Sequence, residues 1–203
     1  MMKLDHESIF IYPTDTVWGI GASIYSENAK KRISEIKGSA ENKPLSIMFT
    51  DVDTVLASFE LPREFTKEWL TKYFRLESTL GLDLKSALIE IPSWVYGGSD
   101  VVSIRCLENS TLKEISSHLK APFFTTSLNK TGEAPIQNFE DAKTFHQQIE
   151  GESPFFFGSA DHDLSGRSST IVFFRNGAFE IIRQGLKIEE IKNHLKLTGH
   201  VTA

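Results

Sequence analysis

Cysteine is nearly absent from the 203-residue chain, with Cys106 as its one example. A single thiol excludes an intramolecular disulfide and a cysteine-based zinc cluster, and it fits a reducing compartment. Cys106 ends a strand pattern and reads as an inert buried thiol. Long hydrophobic runs are also missing. Stretches such as 9–12 and 155–157 fall far below the ~20 apolar residues that a membrane helix needs. Residues 1–8 carry Lys3, Asp5, His6 and Glu7 and lack the apolar centre of a secretory leader. A cytoplasmic location with no membrane partner is therefore expected. Positive charge is not in surplus: the net charge is −5. That excludes a generally basic nucleic-acid coat, but not a local basic groove. There is no GxSxG, P-loop, HExxH or CxxC. His118, His146 and His162 show no metal-ligand spacing; Asp161-His162-Asp163 could hold a cation but reads first as a polar loop. Fifteen phenylalanines stand against three tryptophans and four tyrosines, for which core filling is the default account.

What is present is ordinary for a soluble globular domain: 40% hydrophobic and 24% charged residues. One domain over 1–203 is expected. The apolar periodicity switches repeatedly between strand and helix spacing. Residues 9–12, 45–49, 79–84, 87–91, 101–106 and 122–126 read as strands. Ser26 opens a helix with Ala29, Ile33 and Ile36 on one face and Gly38 as its stop. Helical stretches are expected at 51–59 and at 62–74, the second with Pro62 in its first turn and with Phe65, Trp69 and Tyr73 spaced by four. Asn109 and Asn138 cap two further helices. The pair 170–174 and 178–183 flanks Asn176-Gly177, the preferred type I′ hairpin dipeptide. A final helix spans 188–197, and the tail beyond it is expected to fray. Alternating elements with a hairpin and adjacent strands argue for an α/β mixed sheet rather than a purely parallel one.

Four segments place polar and glycine-rich residues directly after apolar strands, where ligands of α/β sheets gather. The first is Tyr12-Pro13-Thr14-Asp15-Thr16-Val17-Trp18-Gly19-Ile20-Gly21-Ala22, which reads equally well as a hydroxyl-bonded turn. In the second, Lys37 through Leu45, Lys37 ends a helix, where the dipole favours a cation on any reading; it could also meet phosphate oxygens as a point charge. The third, Thr125 through Gly132, is a hydroxyl-rich run suited to an anion nest or to a plain turn. The fourth runs from Ser165-Gly166-Arg167-Ser168-Ser169-Thr170 to Ile182-Arg183-Gln184-Gly185. It suits anion contact or an exposed loop.

Taken in this order, the segments resemble the YrdC family, the TsaC-type threonylcarbamoyl-AMP synthases, over about residues 9–185. YPTDTVWGIGA is similar to that family's opening signature. KGSAENKPL resembles its K-x-R…KPL segment, and Val102-Ser103-Ile104-Arg105 its V-x-V-R strand. TSLNKTG resembles TSAN-x-SG, and GRSSTIV with IIRQG resembles its ending. The resemblance implies a single YrdC-like domain of the short form, a twisted mixed parallel/antiparallel sheet with flanking helices and a large concave groove.

It also implies a nucleotidyltransferase that joins L-threonine, bicarbonate or CO₂, and ATP into L-threonylcarbamoyladenylate, for threonylcarbamoyladenosine modification of tRNA. ATP, L-threonine and bicarbonate would be its substrates, and tRNA-modification proteins its downstream partners. Mg²⁺ would arrive on ATP, without protein metal ligands. By resemblance Lys37 and Arg105 are catalytic. Lys37, Ser127, Asn129, Ser165, Ser169, Thr170 and Arg183 bind the nucleotide, and Thr14, Thr16 and Arg105 surround the threonine. The chain departs from the pattern in three places. Ser39 stands where the K-x-R arginine falls, with Lys43 or Arg32 as displaced substitutes. Phe74-Arg75-Leu76-Glu77-Ser78-Thr79 replaces W-P-G-P-x-T, matching only at Thr79. Leu128 replaces a small alanine. These departures keep a second reading open, a YrdC-like RNA- or nucleotide-binding protein without synthase activity, with double-stranded RNA as its partner.

Overall fold

Strand residues point alternately to opposite faces of a sheet, and several of the chain's strands carry apolar residues on both. In a computed structural model of the protein, residues 4–40, 44–159 and 163–202 are described. The order is β1 (Phe10–Pro13), β2 (Trp18–Ser23), α1 (Glu27–Lys37), β3 (Ser46–Phe49), α2 (Val52–Ser58), α3 (Lys67–Phe74), β4 (Ser78–Asp83), α4 (Ser93–Tyr96), β5 (Val101–Cys106), α5 (Ser110–Leu119), β6 (Phe123–Ser127), α6 (Phe139–Gln147), β7 (Phe155–Phe156), β8 (Thr170–Arg175), β9 (Ala178–Arg183), α7 (Ile188–Leu195) and β10 (Val201–Thr202). The strands form one sheet in the order β10-β9-β8-β4-β5-β3-β6-β2-β1-β7. Parallel pairs such as β3·β5 and β4·β8 mix with antiparallel pairs such as β1·β2 and β4·β5, so the expected α/β mixed sheet is what forms.

Each face has its own core. Ile11, Ile20, Ile47, Leu80, Ile104 and Phe124 join residues of α1, α3 and α7 on the first face. Their strand neighbours Phe10, Tyr12, Met48 and Phe123 turn to the second face and meet Leu112, Ile115 and Leu119 of α5. The phenylalanines fill cores, as expected: Phe10, Phe59, Phe65, Phe123, Phe124 and Phe179 are among the largest fully buried side chains.

Local hydrogen bonding explains the helix starts. The side chains of Ser26, Asn109 and Asn138 accept the backbone N–H groups of Ala29, Leu112 and Asp141, which satisfies one orphan donor in each helix. Gly38 ends α1 in the left-handed conformation at φ 63°.

Several expectations need correction. Helix α3 starts after Thr66, not at Pro62: Pro62 opens a turn to Phe65, and the Thr66 hydroxyl then caps Trp69. The Phe65, Trp69 and Tyr73 rings still stack in succession. Residues 87–91 make no strand. β4 is paired on both sides, by β5 and β8, so no ladder site remains beside it, and Ala87 makes only an isolated bridge to Phe59. Helix α7 ends at Leu195 and passes into a 3-10 turn. Val201 and Thr202 pair with Ala178 and Phe179 rather than fraying, covering the open edge of β9. Residues 18–23 form the strand β2 and not a loop. Its glycines serve close packing, since a Cβ on Gly21 would lie 2.3 Å from the Phe124 carbonyl oxygen.

Cys106 is buried. Burial, with Asp51 and Glu108 nearby, pushes its thiol up to about 12, so it stays protonated. Among the described residues no helix is long and apolar enough to cross a membrane.

Two stability predictions follow from these contacts. Gly21→Ala forces overpacking against a backbone atom and lowers unfolding free energy by ~1–3 kcal/mol in urea denaturation. His194 is buried against Trp69, and burial pulls its imidazole below the usual range. A buried neutral histidine contributes stability that is present above the unfolded-state value of ~6.5 and is lost as pH falls through it. The drop in unfolding free energy from pH 7.5 to 5.5 therefore shrinks in His194→Gln; an unchanged drop refutes the linkage.

Candidate functional site

Helix α5 covers only one end of the sheet's second face. Farther along that face the strands carry small and polar residues. Gly19 of β2, Ser46 of β3, Thr79 of β4, Arg105 of β5, Thr125 and Ser127 of β6, and Ile171 of β8 line a cavity of about 200 Å³. Thr14, Thr16, Ser168, Ser169 and Arg183 complete its wall. The structure thus brings together six of the expected site residues: Thr14, Thr16, Arg105, Ser127, Ser169 and Arg183.

The turn between β1 and β2 is built by Thr14. Its hydroxyl donates to the Val17 carbonyl at 2.7 Å and accepts the N–H groups of Thr16 and Val17. The Thr16 hydroxyl lies 3.0 Å from it. The segment is therefore a hydroxyl-bonded turn whose threonines also line the cavity. Asp15, at the tip, pairs with the guanidinium of Arg105, which is 8% exposed. Arg183 donates through Nε to the Ser169 carbonyl at 3.0 Å and through Nη2 to the Ser169 hydroxyl at 3.2 Å. That hydroxyl also meets Thr79 Oγ1 at 2.9 Å. Burial first, and the nearby positive charge of Arg105 second, lower the proton affinity of Arg183. Two guanidiniums thus face one groove, that of Arg105 paired with Asp15 and that of Arg183 held on Ser169, an arrangement that can receive an anion.

The other expected residues stand behind this wall. The Lys37 ammonium donates to the backbone carbonyl of Ser127, and at 3.0 Å to both the carbonyl and the side-chain oxygen of Asn129. It anchors the loop after β6, and Lys130 reciprocates by donating to the Ile36 carbonyl at 2.6 Å. Asn129 braces the same loop through Lys130 and Glu133. Thr170 is buried and accepts the Gly185 N–H, while the Ser165 hydroxyl donates to Glu77. Leu128 is fully buried in the core of the first face.

Around Ser39 a void of about 20 Å³ is bordered by Lys30, Lys37 and Thr126. Arg32 does not fill it; its guanidinium reaches the Glu150 carbonyl and Glu35 instead. Lys43 and the Asp161-His162 pair lie outside the described residues. Residue types at single positions gave no sign of three participants: Asp15 as the partner of Arg105, Thr125 as the acceptor for the buried Tyr12 hydroxyl, and Glu77. Their partners are 90, 113 and 88 residues away.

A larger depression of about 800 Å³ opens beside the β8–β9 turn. It holds none of the motif residues, and its guanidinium, Arg175, is neutralised by Asp100. Among the described residues no cluster of three His, Cys, Asp or Glu side chains could hold a metal ion.

The Sua5/YciO/YrdC family model, whose description reads telomere recombination, matches residues 2–185. The chain belongs to this family. A Pseudomonas putida protein named threonylcarbamoyl-AMP synthase is 25% identical over 178 residues, covering 88% of this chain and 91% of its own length. A Pyrococcus abyssi protein of the same name is 33% identical, over 94% of this chain but 53% of its own length. The crystal structure of P. abyssi Sua5 complexed with L-threonine superposes with a TM-score of 0.77 at 25% identity, covering 97% of this chain and 56% of that one. This chain therefore spans about half the length of the archaeal protein and nearly all of the bacterial one. The expected family and fold are both found.

Replacing Arg183 separates binding from folding. Arg183 is exposed at the end of β9, and Arg183→Met gives up its two hydrogen bonds to Ser169, so unfolding free energy falls by only about 1–2 kcal/mol. Affinity for pyrophosphate, measured by calorimetry, falls at least ~tenfold, as expected for losing a charged hydrogen-bond donor. Unchanged affinity would remove Arg183 from the site.

Proposed function

We propose that this protein is a threonylcarbamoyl-AMP synthase acting in threonylcarbamoyladenosine modification of tRNA, in the cytoplasm. The observation that carries the reading is the pair Arg105 and Arg183 facing one cavity, with the hydroxyls of Thr14, Thr16, Ser127 and Ser169 in the same wall. The names of the relatives and the threonine complex of Sua5 support it.

In this reading the amine of L-threonine adds to CO₂, supplied by bicarbonate on loss of water, and gives a carbamate. A carbamate oxygen attacks the α-phosphorus of ATP; the new P–O bond forms as the bond to pyrophosphate breaks. Such a transfer depends on positioning and on neutralising phosphate charge more than on a protein nucleophile. That suits a groove with guanidiniums and hydroxyls. The cavity, at about 200 Å³, is below the ~300–1,000 Å³ of pockets for drug-sized ligands. Its walled part fits the threonine carbamate and the α-phosphate, and the rest of the nucleotide extends out of it. Thr14, Thr16 and Arg105 surround the amino-acid end; Ser169 and Arg183 meet phosphate oxygens. Lys37 holds Ser127 and Asn129 in place beside them. Magnesium enters as part of the MgATP substrate.

Purified protein with ATP, Mg²⁺, L-threonine and labelled bicarbonate should release pyrophosphate and form labelled threonylcarbamoyl-AMP. Lys37→Ala should reduce kcat/KM by about a hundredfold or more, since three charged hydrogen bonds are lost together. Absence of both products in the wild type overturns the reading. Binding of double-stranded RNA that weakens steeply with salt would then favour the non-catalytic alternative.

A further inference from the structure

Glu77 is unusual in backbone and in burial. Its φ is 55°, one of three non-glycine residues in the left-handed region among those described. The other two, Lys120 and Asn176, sit where that conformation is common, at the end of α5 and in the β8–β9 turn. Glu77 instead joins α3 to β4, and its side chain is only 9% exposed. A carboxylate taken out of water must be held by partners. Here Oε2 accepts the Ser165 hydroxyl at 2.7 Å and Oε1 lies 3.0 Å from the Lys187 ammonium. The Glu77 carbonyl accepts the Thr170 N–H at 3.0 Å. The segment 165–170 is thus fixed to Glu77 at both ends, and Ser168 and Ser169, which line the cavity, lie between the two attachments. The same segment also meets the β1–β2 turn: Ser165 N–H donates to the Asp15 carbonyl at 3.1 Å, and Gly166 N–H to the Thr16 carbonyl at 2.8 Å.

We propose that Glu77 is a positioning residue of the groove, fixing the segment 165–170 against the Thr14–Thr16 turn through Ser165, with Lys187 as its counter-charge. It touches no substrate. It sets where Ser169, and through it Arg183, present their groups. The kinetic part of this proposal rests on the synthase reading; the structural part does not.

The test combines hydrogen exchange with kinetics on the full chain. Glu77→Ala should raise amide exchange at 165–170 roughly tenfold while β3 and β5 amides stay protected. KM for ATP should rise roughly tenfold, with kcat changing less than about threefold. Glu77→Gln keeps an acceptor for Ser165 and should recover most of both effects. Ser165→Ala should reproduce Glu77→Ala, and the double variant should be no worse than the more affected single one. Additive effects, or unchanged exchange and KM in both single variants, overturn the proposal. If Glu77→Ala does not fold, Ser165→Ala decides. A wild type that makes no adenylate refutes the synthase reading, while exchange at 165–170 still decides the role of Glu77.

Discussion

The groove exists because helices cover the two faces of one sheet unequally. Strand side chains alternate, so each strand residue of the groove sits next to one that is locked in the core of the opposite face. Gly19 adjoins Ile20, Ser46 adjoins Ile47, Thr79 adjoins Leu80 and Arg105 adjoins Ile104; all four apolar partners are fully buried. A one-residue slip in any of these strands would exchange core for site. The packing that stabilises the fold therefore also fixes the direction of the functional side chains, and the site needs no separate scaffold.

That constraint brings cations together in an acidic protein. A net charge of −5 says nothing about a groove in which Arg105 is close enough to lower the proton affinity of Arg183. Asp15 balances one of them. Burial removes hydration from the Arg105 guanidinium, which Asp15 compensates, while Arg183 stays exposed at the end of β9. On the proposed function, an entering phosphate or carboxylate meets guanidiniums already in place, which is how preorganised electrostatics favour a charged transition state. It also favours a small anion over a broad polyanion, since the positive charge is confined to a walled cavity.

The features legible in the sequence are those decided within a few residues. Ser26, Asn109 and Asn138 cap N–H groups three residues ahead, and Asn176-Gly177 fits its turn without help from elsewhere. The misread elements depend on distant partners. β2 is a strand despite two glycines because β1 and β6 flank it. Residues 87–91 fail to pair because β8 arrives from far along the chain to occupy the edge of β4. The site divides in the same way. The order of the polar segments carried the family resemblance, and of the residues that resemblance implied, the sheet brings Thr14, Thr16, Arg105, Ser127, Ser169 and Arg183 to one cavity. That order could not show that Lys37 and Asn129 brace the wall from behind, or that Glu77 holds Ser165, because those roles are fixed by which loops the sheet brings together.

The serine at position 39 fits this picture. A hydroxyl cannot replace the forked donors of an arginine, and Arg32 is committed elsewhere, to Glu150 and Glu35. Lys30 and Lys37, one above the other on α1, both border the void at Ser39. Positive charge therefore remains beside that position although planar, two-pronged recognition does not. Forked hydrogen bonding has to come from the opposite side of the groove, where Arg105 and Arg183 stand. On the proposed function, lysines that brace one wall and arginines that face the anion from the other divide between them the work that a single K-x-R segment would concentrate.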